Sequence, residues 1–213
     1  AGEWSGATDD MWGTAANWSD AQVPNTGSEP ATFAGYGAGE VDLNGSSYTV
    51  QDITFNGGDY TVTDNSGTPG ALTAATLSHS SGDNTIGIGV SVSGDLSISG
   101  GSLALTDIGN FSANRAVLSG GTLGVNGADL SSLPLTVSGN AQVNTLSGPT
   151  VALGAVTVTN GSTLTVSGSA SGVTVTDATI APGSTAAGFN TAVDTTLTAT
   201  SGLEGSSASA TIT

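Results

Sequence analysis

The 213-residue sequence contains no cysteine, and its basic side chains are limited to one arginine and one histidine. Without cysteine, the chain forms neither a disulfide framework nor a thiolate metal site. Arg115 stands against 17 acidic residues, which gives a formal charge of −16. Nucleic-acid backbones, anionic membrane surfaces and acidic polysaccharides all require several cationic side chains for binding. The composition therefore excludes these three classes as direct partners, although salt or metal cations would screen the acidic surface.

The sequence also has few aromatic residues and no long hydrophobic run. Aromatic residues make up 5% of the chain and charged residues 8%, while glycine occurs 33 times. No stretch approaches the ~18 apolar residues of a membrane span, so we expect no membrane insertion. The sequence starts at Ala1 with no basic or apolar leader. We interpret Ala1 as a mature N-terminus left by signal-peptide cleavage and expect an extracellular or cell-surface location.

A near-repeat of about 20 residues organises the middle of the chain. The segment ISGGSLAL at residues 98–105 returns as LSGGTLGV at residues 118–125. Each copy is an alternating segment, a glycine turn and a second alternating segment, and the alternation buries one face of each strand. The paired glycines permit the left-handed or bulged backbone that a sharp corner needs.

The same unit extends along the chain in two sets of apolar residues. The last apolar residue before each turn is Phe55, Leu77, Ile98, Leu118, Val137, Val158 or Val175. The residue after the turn is Tyr60, Leu103, Leu123, Val143, Leu164 or Ile180, and the rung of Leu77 has Gly82 there. We predict that one buried column contains Ile98, Leu118, Val137 and Val158.

This spacing predicts an all-β chain folded as a right-handed parallel β-helix (β-solenoid) with rungs of about 20 residues. Six to eight rungs at about 4.8 Å each would form a short rod. A flat two-sheet sandwich is the alternative, and it would have tight hairpin turns and no fixed period.

Residues 1–37 differ in composition from the rest of the chain. They contain Trp4, Trp12 and Trp18 and have no sustained period. A solenoid end exposes apolar core and unpaired strand edges, so we predict that this segment is an aromatic N-terminal cap. In the alternative interpretation, exposed tryptophan rings stack on sugars.

Residues 38–181 hold the β-solenoid repeats, with an insertion at residues 108–116 that contains Arg115. Residues 182–213 are predicted to be a C-terminal strand or tail. The end of this tail, residues 208–213, alternates small apolar and hydroxyl side chains without charge or proline. We expect this strand to pair with another subunit, which gives a head-to-tail homo-oligomer.

Short motifs near the N-terminus and after the repeats carry a family resemblance. They are WSG at 4–6, Trp12, ANW at 16–18, VPN at 23–25, ATF at 31–33, the strands within 41–55, and ATIAPGS at 178–184. The chain resembles bacterial surface proteins with autotransporter-associated β-strand repeats, which often carry PEP-CTERM sorting signals. The resemblance implies a parallel β-helix displayed outside the cell and brings no catalytic residues with it.

We expect no catalytic or cofactor-binding residues and no enzyme activity. A uronate lyase needs a base and cations, and the basic candidates are only His79 and Arg115. We interpret His79 as a turn residue and Arg115 as the partner of a nearby acid. A glycosidase needs two carboxylates, and Asp59 and Asp83 are predicted on neighbouring coils. Acidic residues here occur mainly in turns, where they have a local structural role.

Calcium is the one metal that the sequence leaves open. Oxygen ligands in turns suit this ion, and the candidate groups are Asp9 with Asp10, and Asp83 with Asn84. The repeated motifs of EF-hands and calcium β-rolls are not present in the sequence. A calcium site is therefore an alternative, with no assigned ligand set.

Three functional hypotheses follow. The first is a secreted structural protein that self-assembles into an extracellular filament, stalk or surface layer. The second is an adhesive or carbohydrate-binding surface module, and the third is a solenoid glycoside hydrolase. The chemistry above favours the first.

Overall fold

The computed structural model describes residues 2–37, 39–126, 129–147, 150–159, 161–168, 172–180, 188–191, 196–199, 203–205 and 211–212, with side chains as far as residue 168 except those of residues 150 and 151. The strands are β1 (Gly2–Glu3), β2 (Ala31–Phe33), β3 (Gly39–Asp42), β4 (Tyr48–Thr49), β5 (Asp52–Asn56), β6 (Tyr60–Thr63), β7 (Ala71–Ala74), β8 (Thr76–Ser81), β9 (Asp83–Ile86), β10 (Gly89–Val92), β11 (Asp95–Ile98), β12 (Ser102–Leu105), β13 (Phe111–Ser112), β14 (Arg115–Leu118), β15 (Thr122–Asn126), β16 (Asp129–Leu130), β17 (Leu135–Val137), β18 (Asn140–Ser147), β19 (Thr150–Val158), β20 (Thr163–Gly168), β21 (Gly172–Ile180), β22 (Gly188–Thr191), β23 (Thr196–Ala199), β24 (Leu203–Gly205) and β25 (Thr211–Ile212). Short 3-10 helices lie at Ala15–Asn17 and Ile108–Asn110. Within these ranges, no helix is long and apolar enough to cross a membrane.

The strands pair in parallel and stack into three sheets. The long sheet has 12 strands and runs from β1 through β2, β5, β8, β11, β14, β17, β19 and β21 to β23. The second sheet has nine strands, from β3 to β25, and the short sheet contains β4, β7, β10 and β13. From β2 to β13, successive strands in the chain belong to different sheets, so each turn of the chain adds one strand to each sheet. The prediction of a β-solenoid is confirmed, with about six turns and rungs of about 21 residues.

The predicted core column lies in the long sheet. Its four residues pair in register from rung to rung, and each is at most 3% exposed: Ile98, Leu118, Val137 and Val158. Alternation along each strand turns these side chains inward, while the intervening serine, threonine or valine faces outward. This prediction is confirmed.

Two members of the first apolar set are placed wrongly by the sequence. The residues in register with the column are His79 instead of Leu77, and Ile180 instead of Val175. Ile180 thus belongs to the long sheet and not to the set that follows the turns. Each strand has more than one inward position. At the rung of Leu77 the polar residue His79 fills the position in register with the column, and at the rung of Val175 the strand continues past Asp177 to Ile180.

In the buried column of the second sheet, too, the sequence predicts some members correctly and others wrongly. Three predicted members pair in register: Leu103, Leu123 and Val143. The preceding rung contributes Asn84 at this place and not Gly82, and the following rung contributes Val166 and not Leu164. A buried asparagine therefore fills the position that the sequence assigned to a glycine.

Glycines form the corner between the long and second sheets. Gly101 and Gly121 have positive φ angles of 65° and 68°. A Cβ atom on Gly101 would lie 2.4 Å from the carbonyl oxygen of Gly82 in the preceding rung. The corner therefore requires glycine both for its left-handed backbone and for the close approach of successive rungs.

The cross-section of the solenoid changes after β13. Up to that strand each rung visits all three sheets, whereas β16 and β17 both pair with β19 of the long sheet. The predicted insertion at 108–116 is shorter than expected, because Arg115 and Ala116 already belong to β14 and pair with Asp95 and Leu96. The preceding residues form the 3-10 helix and β13, so they close the short sheet.

Candidate functional site

His79 lies in the core and not in a turn, which corrects the sequence interpretation. It belongs to β8, pairs with Phe55 on one side and Ile98 on the other, and is 1% exposed. Its ring centroid is 6.1 Å from that of Phe55. The single histidine of the chain therefore replaces an aliphatic residue in the buried column of the long sheet.

A chain of hydrogen bonds satisfies the buried imidazole. Nδ1 of His79 lies 2.8 Å from the carbonyl oxygen of Gly100, and Nε2 lies 3.0 Å from Nδ2 of Asn84. Because a carbonyl only accepts and an amide NH₂ only donates, Nδ1 carries the proton and Nε2 accepts. Oδ1 of Asn84 in turn accepts the backbone N–H of Tyr60 at 2.8 Å. Burial lowers the pKa of His79, while Gly100 and the charge of Asp83 oppose this shift.

His79 and Asn84, two of the buried polar residues, thus satisfy each other. His79 occupies the column of the long sheet, Asn84 occupies that of the second sheet, and both belong to one rung. Sequence reasoning missed the pair because it searched these positions for apolar residues. Alternation alone would have found it, since Leu77 and His79 are two residues apart, as are Asn84 and Ile86.

The two carboxylates that the sequence proposed for a glycosidase lie on neighbouring rungs, where the chain enters the second sheet. The backbone N–H of Asp83 donates to Oδ1 of Asp59 at 3.2 Å, and both residues are exposed. The carboxylate of Asp59 therefore orders the next rung's turn, which is the local role expected of acidic turn residues. Two open cavities of about 430 Å³ each lie elsewhere, one beside Gln142 and one beside Asp107.

Arg115 pairs with an acid, as the sequence predicted. Its Nη2 lies 2.5 Å from Oδ2 of Asp95 in the preceding rung, on the outer face of the long sheet. The guanidinium lowers the pKa of the Asp95 carboxyl. The pair is solvent-exposed, so it has little influence on stability and leaves no free cation for substrate binding at this place.

The residues proposed for calcium are engaged in other contacts or point apart. The carboxylate of Asp9 accepts hydrogen bonds from the Met11 N–H, the Thr14 hydroxyl and the Asn17 amide. Asp83 faces outward while Asn84 faces the core, so these neighbours do not converge on one ion. Across the described side chains, no group of three or more His, Cys, Asp or Glu is placed to hold a metal.

The tryptophans form the packed interior of the N-terminal cap. Trp4, Trp12 and Trp18 are each at most 2% exposed. The ring of Trp18 meets those of Trp4 and Trp12 edge to face at centroid distances of 5.2 and 4.9 Å, and all three rings lie close to Phe33. The faces of the rings are covered by protein, so the rings cannot stack on sugars. They pack together as the predicted aromatic cap.

The same segment covers the first strand edge of each sheet. At β1, the N–H of Ser5 donates to the carbonyl of Asn17, and the N–H of Ser19 donates to that of Glu3. At β3, Asp42 exchanges backbone hydrogen bonds with residues 10 and 12. At β4, the N–H of residue 27 donates to the carbonyl of residue 49. The N-terminal end of the solenoid is therefore closed by hydrogen bonds as well as by aromatic packing.

The opposite end of the stack has a different character. β23 and β24 are the last strands paired to β21, and β25 is the last of the second sheet. Among the described residues no further strand pairs with their outer edges. Thr211–Ile212 of the predicted C-terminal tail pairs with β22 of the same chain, whereas residues 206–210 and 213 lie outside the described residues.

Comparisons with known proteins identify no family for the chain. No protein-family model, no curated protein and no solved structure matches it. The resemblance to autotransporter-associated repeats stays a prediction based on short motifs.

Proposed function

We propose that this chain is a secreted structural protein, a self-associating β-solenoid subunit of an extracellular stalk or surface layer. The main support is the asymmetry of the stack: loops cover the strand edges at the N-terminal end, whereas β23, β24 and β25 have no outer partner among the described residues. An uncovered strand edge presents N–H and C=O groups that pair readily with another strand. The partner that we propose is a second copy of the same chain.

The outer face of the long sheet also supports a structural role. One outward column runs along the sheet from rung to rung, and its middle part is uncharged between Glu3 in the first strand and Glu204 in the last: Thr32, Thr54, Ser78, Ser97, Val117, Thr136 and Thr157. Such a surface offers hydroxyl and methyl groups and no converging acid, base or nucleophile. Regular neutral faces suit packing between rods better than they suit turnover of a substrate.

The closed end affects the geometry of association. A head-to-tail filament, which the sequence led us to expect, requires an open edge at both ends of the subunit. The cap would have to release β1, β3 and β4 before another chain could pair there. Association through the C-terminal edge alone joins two copies tail to tail, and such a contact closes on itself as a two-fold dimer. The dimer would be a double-length rod with a tryptophan cap at each end.

Sedimentation tests this proposal. We expect concentration-dependent dimerisation of the purified chain that strengthens with salt or calcium, because each subunit carries a charge of −16. A chain lacking residues 208–213 loses β25 and should associate more weakly than the parent under the same conditions, because β23 and β24 remain. A matched control, Ser138→Asp on the exposed outer face, adds charge without touching the edge and should associate as the parent does.

Other outcomes would contradict the proposal. A parent chain that remains monomeric at high concentration and high salt would remove self-association. Long filaments in electron micrographs would show that the cap opens and that pairing is head to tail. Specific retention on a neutral glycan resin, with no self-association, would favour the adhesive alternative.

A further inference from the structure

We propose that the rung formed by β8 and β9 is an acid-sensitive lock, in which His79 and Asn84 hold the two core columns together only while the imidazole is neutral. This device is independent of the proposed assembly. It rests on the direction of each hydrogen bond around the pair, on the burial of both side chains and on the identity of their neighbours.

The amide of Asn84 is fixed from both sides. Its Oδ1 accepts the N–H of Tyr60, and its Nδ2 donates to Nε2 of His79 and, at 3.4 Å, to the carbonyl of Ser81. Asn84 is 2% exposed and His79 is 1% exposed, so water does not replace any of these partners. The neutral imidazole and this one amide orientation satisfy each other completely.

Protonation of Nε2 breaks that arrangement. The new N–H points at the amide NH₂ of Asn84, so two donors face each other in the core. Rotating the amide by half a turn would offer Oδ1 to the imidazolium, but it would then turn the NH₂ toward the N–H of Tyr60 and the oxygen toward the carbonyl of Ser81. Either orientation leaves a buried donor without an acceptor, and an unsatisfied buried polar group is strongly unfavourable.

The neighbours of the ring offer little compensation. Phe55 on β5 and Ile98 on β11 do not titrate, and the corner residues beside the ring are glycines. Asp83 is the carboxylate whose charge favours the imidazolium, and it faces outward at the start of β9, next to Asp59. The hydroxyl of Tyr60 is directed away from the pair, because it donates to the carbonyl of Tyr36.

The loss of stability on protonation is limited to the pH range in which the imidazole of His79 titrates. His79 is the only histidine. Burial lowers its pKa below the ordinary value of 6.5, so the unfolded chain takes up this proton before the folded chain does. Stability is therefore complete above about pH 6.5 and falls as the pH drops from there toward the lowered pKa. Hydrogen bonds lower the pKa of several carboxyl groups, those of Asp9, Asp64, Asp95 and Asp129, so they titrate well below this window.

Urea unfolding at about pH 7.5 and about pH 5.2 tests the lock. The equilibrium constant for unfolding of the parent should rise as the pH falls, by up to about tenfold per pH unit. The variant His79→Gln keeps a donor and an acceptor but does not titrate, so its unfolding should be the same at both pH values. The double variant His79→Leu with Asn84→Leu restores two aliphatic columns and should show no acid sensitivity in this window.

Nuclear magnetic resonance of the unmodified chain provides a test that does not depend on folding of a variant. The single imidazole should titrate below its ordinary value and should show the Nδ1–H tautomer at neutral pH. An imidazole that titrates at about 6.5 without any change in stability would overturn the proposal. The same conclusion would follow if His79→Gln retained the full acid sensitivity of the parent.

Discussion

A methyl group at Gly139 provides a direct test of how closely the rungs approach at the corner between the long and second sheets. The Cβ atom of an alanine there would lie 2.0 Å from the carbonyl oxygen of Ser119, a distance that real Cβ atoms essentially never show. The φ angle of Gly139 is not in the left-handed region, so the substitution tests contact alone. The matched control is Gly109→Ala, where no atom lies within 4 Å of the added Cβ.

The size of the effect follows from the hydrogen bonds between the two rungs. Relieving the contact requires the backbones to separate by about 1 Å, which lengthens a neighbouring bond such as the 2.9 Å bond from the Ser138 N–H to the Leu118 carbonyl. A buried backbone group left without its partner costs about 1–3 kcal/mol. We therefore expect Gly139→Ala to lower the free energy of unfolding by about 2–4 kcal/mol and Gly109→Ala to change it by less than about 0.5 kcal/mol.

Two further glycines separate the contribution of backbone conformation from that of contact. Gly67 has a φ angle of 80° with no atom within 4 Å of the added Cβ, so Gly67→Ala should cost only the strain of a left-handed alanine, about 1–2 kcal/mol. Gly101→Ala combines a φ angle of 65° with a 2.4 Å contact and should be the most destabilising of the four. Urea unfolding followed by far-ultraviolet circular dichroism measures all of them. Equal stabilities for Gly139→Ala and Gly109→Ala would refute the close approach of the rungs.

Four other outcomes are expected. Leu118→Asp should lower the free energy of unfolding by several kcal/mol because it buries an unpaired charge, whereas Ser119→Asp, one residue on and facing solvent, should unfold like the parent. Tryptophan fluorescence should be blue-shifted and unchanged by added glycans, since the three rings are buried; a shift on titration with a glycan would contradict the cap. Arg115→Ala should leave the unfolding midpoint unchanged, because its pair with Asp95 is exposed. Incubation with pectate or alginate should release no unsaturated oligosaccharides, and measurable release would contradict the prediction that the chain is not an enzyme.

The sequence predicts the fold correctly where apolar core residues recur at nearly equal spacing. Ile98, Leu118, Val137 and Val158 recur at nearly equal spacing, and hydrophobic alternation is enough to place them in one column. The spacing of apolar residues does not identify a core position that is occupied by a polar residue. Alternation places His79 and Asn84 at inward positions, but the hydrogen bond by which each satisfies the other in the core is visible only in three dimensions.

At the N-terminal end of the solenoid, the sequence predicts that a cap exists but not which hydrogen bonds it forms. Three tryptophans in a segment without a period indicate a cap, because bulky apolar rings need to be buried somewhere. The hydrogen bonds that cover β1, β3 and β4 come from irregular loops, and loop backbone conformation leaves no periodic trace in the sequence. The end of the short sheet at β13 was also missed. It depends on a nine-residue strand, Thr150–Val158, that spans the positions of both β16 and β17.

The covered N-terminal edges give the solenoid a direction of growth. Each rung contacts mainly its immediate neighbours, so once a nucleus has formed, further rungs can be added to an existing edge. Because the cap blocks one edge of every sheet, a chain that emerges N-terminus first has a single template on which the next rung can form. Folding can then advance along the chain as it is delivered, without waiting for distant residues. Force applied to the C-terminus should detach rungs one at a time in the opposite order. The tryptophan cap should be the last part to unfold.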